Sequence, residues 1–277
     1  TLNSPPARAG RRFSDGVIMQ TKCRTGRDSF ARLKLSCYTG FFTQAIIINL
    51  APLYFVFFKD TYGINPSRLA LLITVNFVTQ IFVDLFSIKY SVKIGLRKCA
   101  AIAHAACFAG LVLLALFPTF TSIPYPGMIV AVILYSIGGG LLETVINPIF
   151  ATLPQNGKSG VMLSLLHSFY CWGQMSVILI TTLLLRICGQ QSWWIITIGW
   201  SIIPLLNTIS FATVRLDESS AQEAEAQEKS GSSEVSAKAL FRNGTYIVCI
   251  VMIFCAGASE LSMSQWASYF AEVGLKV

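Results

Sequence analysis

The sequence predicts an all-α membrane protein: a six-helix transmembrane bundle, a hydrophilic linker and a seventh transmembrane helix. Three observations predict it. Of the 277 residues, 54% are hydrophobic and 12% are charged, against about 25% charged in soluble domains. Mean hydropathy is +0.62. The apolar residues gather into long runs, and with about 20 residues per span the chain has room for seven spans with loops, not twelve. A soluble core of this size cannot absorb so much apolar side chain. A soluble enzyme, a disordered chain and a disulfide-stapled secreted domain are thereby excluded.

The runs follow in order. Residues 1–34 form a basic tail, and the first apolar run covers 35–58. That run is too long and starts too late for a cleaved signal peptide. The second covers 69–91, opened by Pro66 after the turn-like Gly63-Ile64-Asn65. The third covers 99–117 and is closed by Pro118; the fourth covers 127–150, opened by Pro126 and closed by Pro154. The fifth and sixth cover 160–186 and 192–213, giving a bundle over 35–213. Residues 214–242 are rich in Ser, Ala, Glu and Gln and cannot bury enough surface to order themselves, so they read as a linker. The seventh run lies at 244–272, inside a last segment of 243–277.

Orientation follows from Lys and Arg alone. Residues 1–34 hold eight of them against two Asp. With the N-terminus in the cytoplasm, 17 of the 21 basic side chains fall inside and 4 outside. This clustering at membrane edges accounts for the net charge of +8 without a nucleic-acid partner. The expected setting is the cell membrane, multi-pass, in contact with lipid. The eight Cys form no CxxC pair and mostly sit in apolar runs, where Cys acts as a small hydrophobe. Neither a metal site nor a disulfide frame is expected.

Ionisable groups inside spans are costly and tend to face a cavity or a partner. Glu143 shares a helix face with Asn147, four residues on. It reads either as a solute acceptor or proton carrier, or as a packing carboxylate satisfied by Ser or Thr. Asp84 continues a polar stripe from Asn76 and Gln80. It lines a pathway or clasps the basic loop near Lys93 and Arg97, and the clasp is the expectation taken. His167 shares a face with Ser164, Cys171 and Gln174 and is a proton-carrier or ligand candidate. His104, alone among alanines, reads as a packing residue. Trp193 and Trp194 read as an interfacial belt, and Tyr38, Phe41, Phe42 and Trp172 as rings able to stack on a sugar. There is no GxxxxGK[ST] and no HExxH, so neither an enzyme nor an ATP-driven pump is expected, and no cofactor.

Six spans, a linker and a further span resemble the major facilitator superfamily, whose members join two six-helix bundles by a cytoplasmic loop. Lys93-Ile94-Gly95-Leu96-Arg97-Lys98 resembles its loop between helices 2 and 3, with Val92 where that pattern has an acid. Gly138-Gly139-Gly140-Leu141-Leu142-Glu143-Thr144-Val145-Ile146-Asn147-Pro148 is similar to a segment of the fucose-permease-like sugar-transporter branch. His167 through Gly173, Gly257 through Glu260 and Ser264 through Ser268 look like further segments of that branch. Its acidic first-helix residue matches Pro52 here.

The resemblance implies a secondary active transporter of a small polar solute, a sugar, working by alternating access. Glu143, Asn147, His167, Gln174, Glu260, Gln265 and Trp266 would contact the solute. Glu143, His167 and Glu260 would be candidates for carrying a co-transported proton, with sodium the other candidate ion. Asp84, Lys93, Gly95, Arg97 and Lys98 would gate. The resemblance also implies a truncated twelve-helix fold, inactive alone, with a missing C-terminal bundle as partner. Two alternatives stay open: a non-transporting receptor or scaffold, and a superfamily transporter for a drug or nucleoside.

Overall fold

The computed structural model describes residues 11–121, 123–153, 159–214 and 241–274. Among the described residues eight α-helices follow one another: α1 (Arg11–Leu53), α2 (Phe55–Tyr62), α3 (Pro66–Ile94), α4 (Leu96–Phe120), α5 (Pro124–Ala151), α6 (Ser159–Cys188), α7 (Trp193–Thr213) and α8 (Gly244–Tyr269), which ends in a π-turn, Phe270–Gly274. No strand occurs among the described residues. A membrane leaves the backbone no water to bond, so each span must satisfy its own peptide groups as a helix. Among the described residues, six single helices are long and apolar enough to cross, and Phe30–Leu53 with α2 forms a bent pair that makes a seventh.

Several boundaries differ from the sequence expectation. The first helix starts at Arg11, inside the stretch expected as a tail. Arg and Lys are good helix formers, so basic composition does not stop a helix. Pro118 lies inside α4 rather than ending it, because a proline in the last turn forfeits few hydrogen bonds. Pro124, not Pro126, opens α5. The linker lies outside the described residues from 215 to 240.

The first span breaks at Tyr54. Pro52 has no N–H, so the Ile48 carbonyl loses its helical donor. The chain tightens, with Tyr54 N on Ala51 O at 3.0 Å, and the helix resumes at Phe58 N on Tyr54 O, 2.8 Å. The two halves bend by 40°. At the far end of α2, Gly63 takes φ +63° to cap the helix, and Asn65 accepts from Arg68 N to start α3.

Helix α4 packs along α5 and α7, α3 lies on α5, and α1 lies on α6. The core is Ile46, Leu50, Cys107, Leu111, Ala131, Val145 and Ile149. Trp193 is a correction. It is 2% exposed and packs edge-on against Tyr54 and Phe58 at 5.5 and 5.2 Å. The kink in the first span opens the space that this ring fills, so it plugs the bundle instead of joining a belt. Helix α8 lies at the edge and packs chiefly on α1.

Candidate functional site: a polar cavity within the bundle

The triplet Gly138-Gly139-Gly140 sets the walls of the site. A Cβ on Gly139 would come 2.6 Å from Ile47 Cδ1, and one on Gly140 would come 2.9 Å from Val83 Cβ and 3.1 Å from Asp84 Oδ1. Gly138 abuts Cys107 and the Ala103 carbonyl, 2.5 Å from where its Cβ would stand. Successive residues point about 100° apart around a helix. Three adjacent glycines therefore admit α4, α1 and α3 on three sides of α5. One and two turns further on, Glu143 and Asn147 emerge beside the α3 stripe.

Helices α1, α3, α5, α6 and α8 together line a cavity of about 590 Å³. Gln44 and Ile48 line it from α1, and Gln80 and Asp84 from α3. Glu143 and Asn147 line it from α5, His167, Tyr170 and Cys171 from α6, and Gly257, Glu260 and Leu261 from α8. Phe41 and Phe77 supply apolar wall, and Phe41 meets the His167 imidazole edge-on at 4.9 Å. A relay fixes part of the floor. Gln44 Nε2 donates to Gln80 Oε1 at 3.5 Å, Gln80 Nε2 donates to Asn76 Oδ1 at 3.0 Å, and Ser136 Oγ donates to the same Asn76 oxygen. Gln44 Oε1, Asp84 Oδ1 and Asn147 Oδ1 have no protein donor. Asp84 lies near enough to Glu143, and Glu143 to His167, for their charges to interact. The lining thus holds three carboxylates and one imidazole among acceptor-rich amides.

Of the residues the sequence singles out for solute contact, Glu143, Asn147, His167 and Glu260 meet at this cavity. Gln174, a turn beyond Cys171 on α6, is outside the lining. So are Gln265 and Trp266. Gln265 is 4% exposed and donates to the Ile48 carbonyl at 3.2 Å, while Trp266 packs on Phe55 and Tyr269 at 5.9 and 5.7 Å. Trp172 points away and is 67% exposed.

The expected clasp between Asp84 and the basic loop does not form. Ten residues separate Asp84 from Ile94, about 15 Å of helix, and Asp84 lines the cavity instead. At the loop itself Gly95 takes φ +97°, a conformation that favours glycine, and turns α3 into α4. Arg97 Nη1 donates to Val214 O at 2.9 Å, holding the C-terminus of α7. Lys93 and Lys98 are exposed.

Gln44 is not among the residues the sequence singles out, and Tyr170 enters there only within the segment His167 through Gly173. Gln44 offers one signal: it is one of two amides, with Asn49, in the apolar run 35–58, where a polar group needs a partner. His104 is fully buried. Its Nδ1 faces the Ala100 carbonyl at 2.7 Å and its Nε2 faces Asn207 Nδ2 at 3.0 Å, so it pins α4 to α7 away from the cavity.

No curated protein matches this chain. The family model of the Major Facilitator Superfamily matches residues 37–276, which takes in the kinked first span, every helix of the cavity and α8. Multi-pass helical architecture, a solute-sized polar cavity inside the bundle and this match agree, and the chain belongs to the major facilitator superfamily, a family of membrane transporters.

Proposed function

We propose that the protein is a secondary active transporter of a small polar solute, a sugar, which it binds in the cavity between α1, α3, α5, α6 and α8. The observation that carries the reading is the chemistry of the lining. A volume of about 590 Å³ falls in the range of small-molecule sites, about 300–1,000 Å³. A polyhydroxylated ring brings donors to acceptors that the protein leaves unpaired, and apolar ring faces to Phe41 and Phe77. Buried acceptors without donors are costly, so a solute rich in hydroxyls gains from each one it satisfies. Alternating access would expose this midplane site to either side in turn, with the N-terminus in the cytoplasm. Glu143, His167 and Glu260 are the groups proposed to carry a coupled proton, and the same carboxylates would attract sodium.

Uptake of radiolabelled sugars into proteoliposomes holding the full-length protein tests this, since the chain without a C-terminal bundle is proposed to be inactive alone. Saturable uptake is expected, and Glu143→Gln should abolish it. Uptake unaltered in that variant overturns the assignment. A second reading rests on charge. Three carboxylates facing one imidazole favour a solute bearing an amine, as a drug would. Saturable uptake of small amines, with no uptake of neutral sugars, would favour it.

A further inference from the structure

Proline 52 leaves a vacancy in the hydrogen-bond ladder of α1. The carbonyl four residues before a proline has no helical donor, and here that carbonyl belongs to Ile48, a residue of the cavity lining. An unpaired buried carbonyl is rare and costly. It is not left unpaired. Gln265 Nε2, from α8, donates to it at 3.2 Å, across 217 residues of sequence. Gln265 is 4% exposed, so little water competes for this bond.

The contact heads a short series running from the cavity toward the Gly63 end of the first span. Trp266 packs on Phe55 at 5.9 Å, just past the break at Tyr54. One turn further along α8, Tyr269 lies under the Lys59 ammonium at 5.8 Å. Three consecutive points of α8 thus engage the kinked span. The first is a hydrogen bond to a carbonyl that lacks its helical donor because residue 52 is a proline. The others rest on α2, whose direction the 40° bend sets.

We infer that Gln265 and the Ile48 carbonyl form a latch that holds α8 against the kinked first span and closes the cavity toward the Lys59 end. Gln265 is a positioning residue: it acts on access, through a backbone carbonyl, and does not line the cavity. Opening at that end must break the bond, after which the Ile48 carbonyl faces the cavity as a free acceptor. The inference rests on the transport reading only for its purpose. The latch itself can be tested without any solute.

Cys171 lines the cavity and is exposed, so it reports access. The full chain in sealed vesicles is treated with a membrane-impermeant maleimide from the Lys59 side, and modification of the Cys171 peptide is followed by mass spectrometry. Gln265→Leu removes the donor. Pro52→Ala restores a helical N–H that competes for the Ile48 carbonyl, and because it adds a backbone bond it guards against a variant that fails to fold. Each should raise the Cys171 rate about fivefold, the factor that one net hydrogen bond is worth. Both act on one carbonyl, so the double variant should match either single one rather than multiply. Ser264→Ala, which removes only a bond to Leu261 O, should stay within twofold of the parent. Rates within twofold of the parent in both single variants, or a double variant near their product, overturn the latch. Failure of sugar uptake with these rates raised would sink the solute assignment and leave the latch standing.

Discussion

Asn207 donates its side-chain amide to Nε2 of His104 at 3.0 Å. His104 Nδ1 sits 2.7 Å from the Ala100 carbonyl, so Nδ1 carries the hydrogen and Nε2 accepts. Asn207 Oδ1 in turn accepts from Thr39 at 2.7 Å. One amide therefore ties α1, α4 and α7 together, with His104 and Asn207 buried and Thr39 half-buried. Asn207→Leu should leave the His104 Nε2 without a donor, while the Thr39 hydroxyl keeps the Leu35 carbonyl at 3.0 Å. A loss of about 2 kcal/mol is expected from an unsatisfied buried group, and thermal unfolding in detergent should show it as a lower midpoint. An unchanged midpoint would mean that water replaces the amide.

The glycine triplet makes a sharper claim, because it predicts a ranking. A Cβ at Gly138 meets the Ala103 backbone oxygen at 2.5 Å, whereas one at Gly160 meets nothing within 4 Å. Backbone cannot move aside as a side chain can, so Gly138→Ala should cost about 1–3 kcal/mol or more. Gly160→Ala should be neutral. Equal yields of monodisperse protein from the two variants would contradict the packing.

How much of this is legible in the sequence depends on how local each feature is. Spans are legible because a bilayer demands about 20 apolar residues in a row. The Glu143–Asn147 face is legible because residues four apart lie on one side of a helix. Trp193 is not, since an aromatic residue opening a span suits a belt or a plug equally, and only the kink at Tyr54 provides the space. Gln265 reads as a ligand contact until its partner is known. That partner is a main-chain oxygen 217 residues away, which no side-chain pattern marks. Asp84 belongs with Asn76 and Gln80, as its spacing says, but its distance from the basic loop follows from where α3 ends.

Arg97 provides a test at the other end of the bundle. Its guanidinium holds the Val214 carbonyl at 2.9 Å, where α7 ends and its last carbonyls need donors. A charged donor there also meets the negative end of the helix dipole. Arg97→Ala should raise amide hydrogen exchange over the last turn of α7 by about tenfold or more, from a charge-assisted bond worth about 1.5–3 kcal/mol. Arg97→Lys should restore this in part, since a lysine reaches as a point charge without the planar fork. Exchange unaffected by either change would assign that carbonyl to solvent.

Gln44 separates solute binding from bundle stability. It is 5% exposed, bonds Gln80 at a long 3.5 Å and keeps Oε1 without a donor. Truncation to Ala should cost the fold little, because the Gln80 side chain retains Asn76 as acceptor at 3.0 Å. It should cost the solute one acceptor in a site that excludes most water, about tenfold in apparent affinity if the bond is worth about 1.4 kcal/mol. The expected result in the sugar-uptake assay is a raised KM with maximal rate and thermal midpoint near the parent. A fall in maximal rate at constant KM would move Gln44 from solute contact to the conformational step. That outcome is physically distinct, because Gln44 also stands 3.3 Å from where a Gly139 Cβ would lie, at the α1–α5 contact that any rocking of these helices would shear.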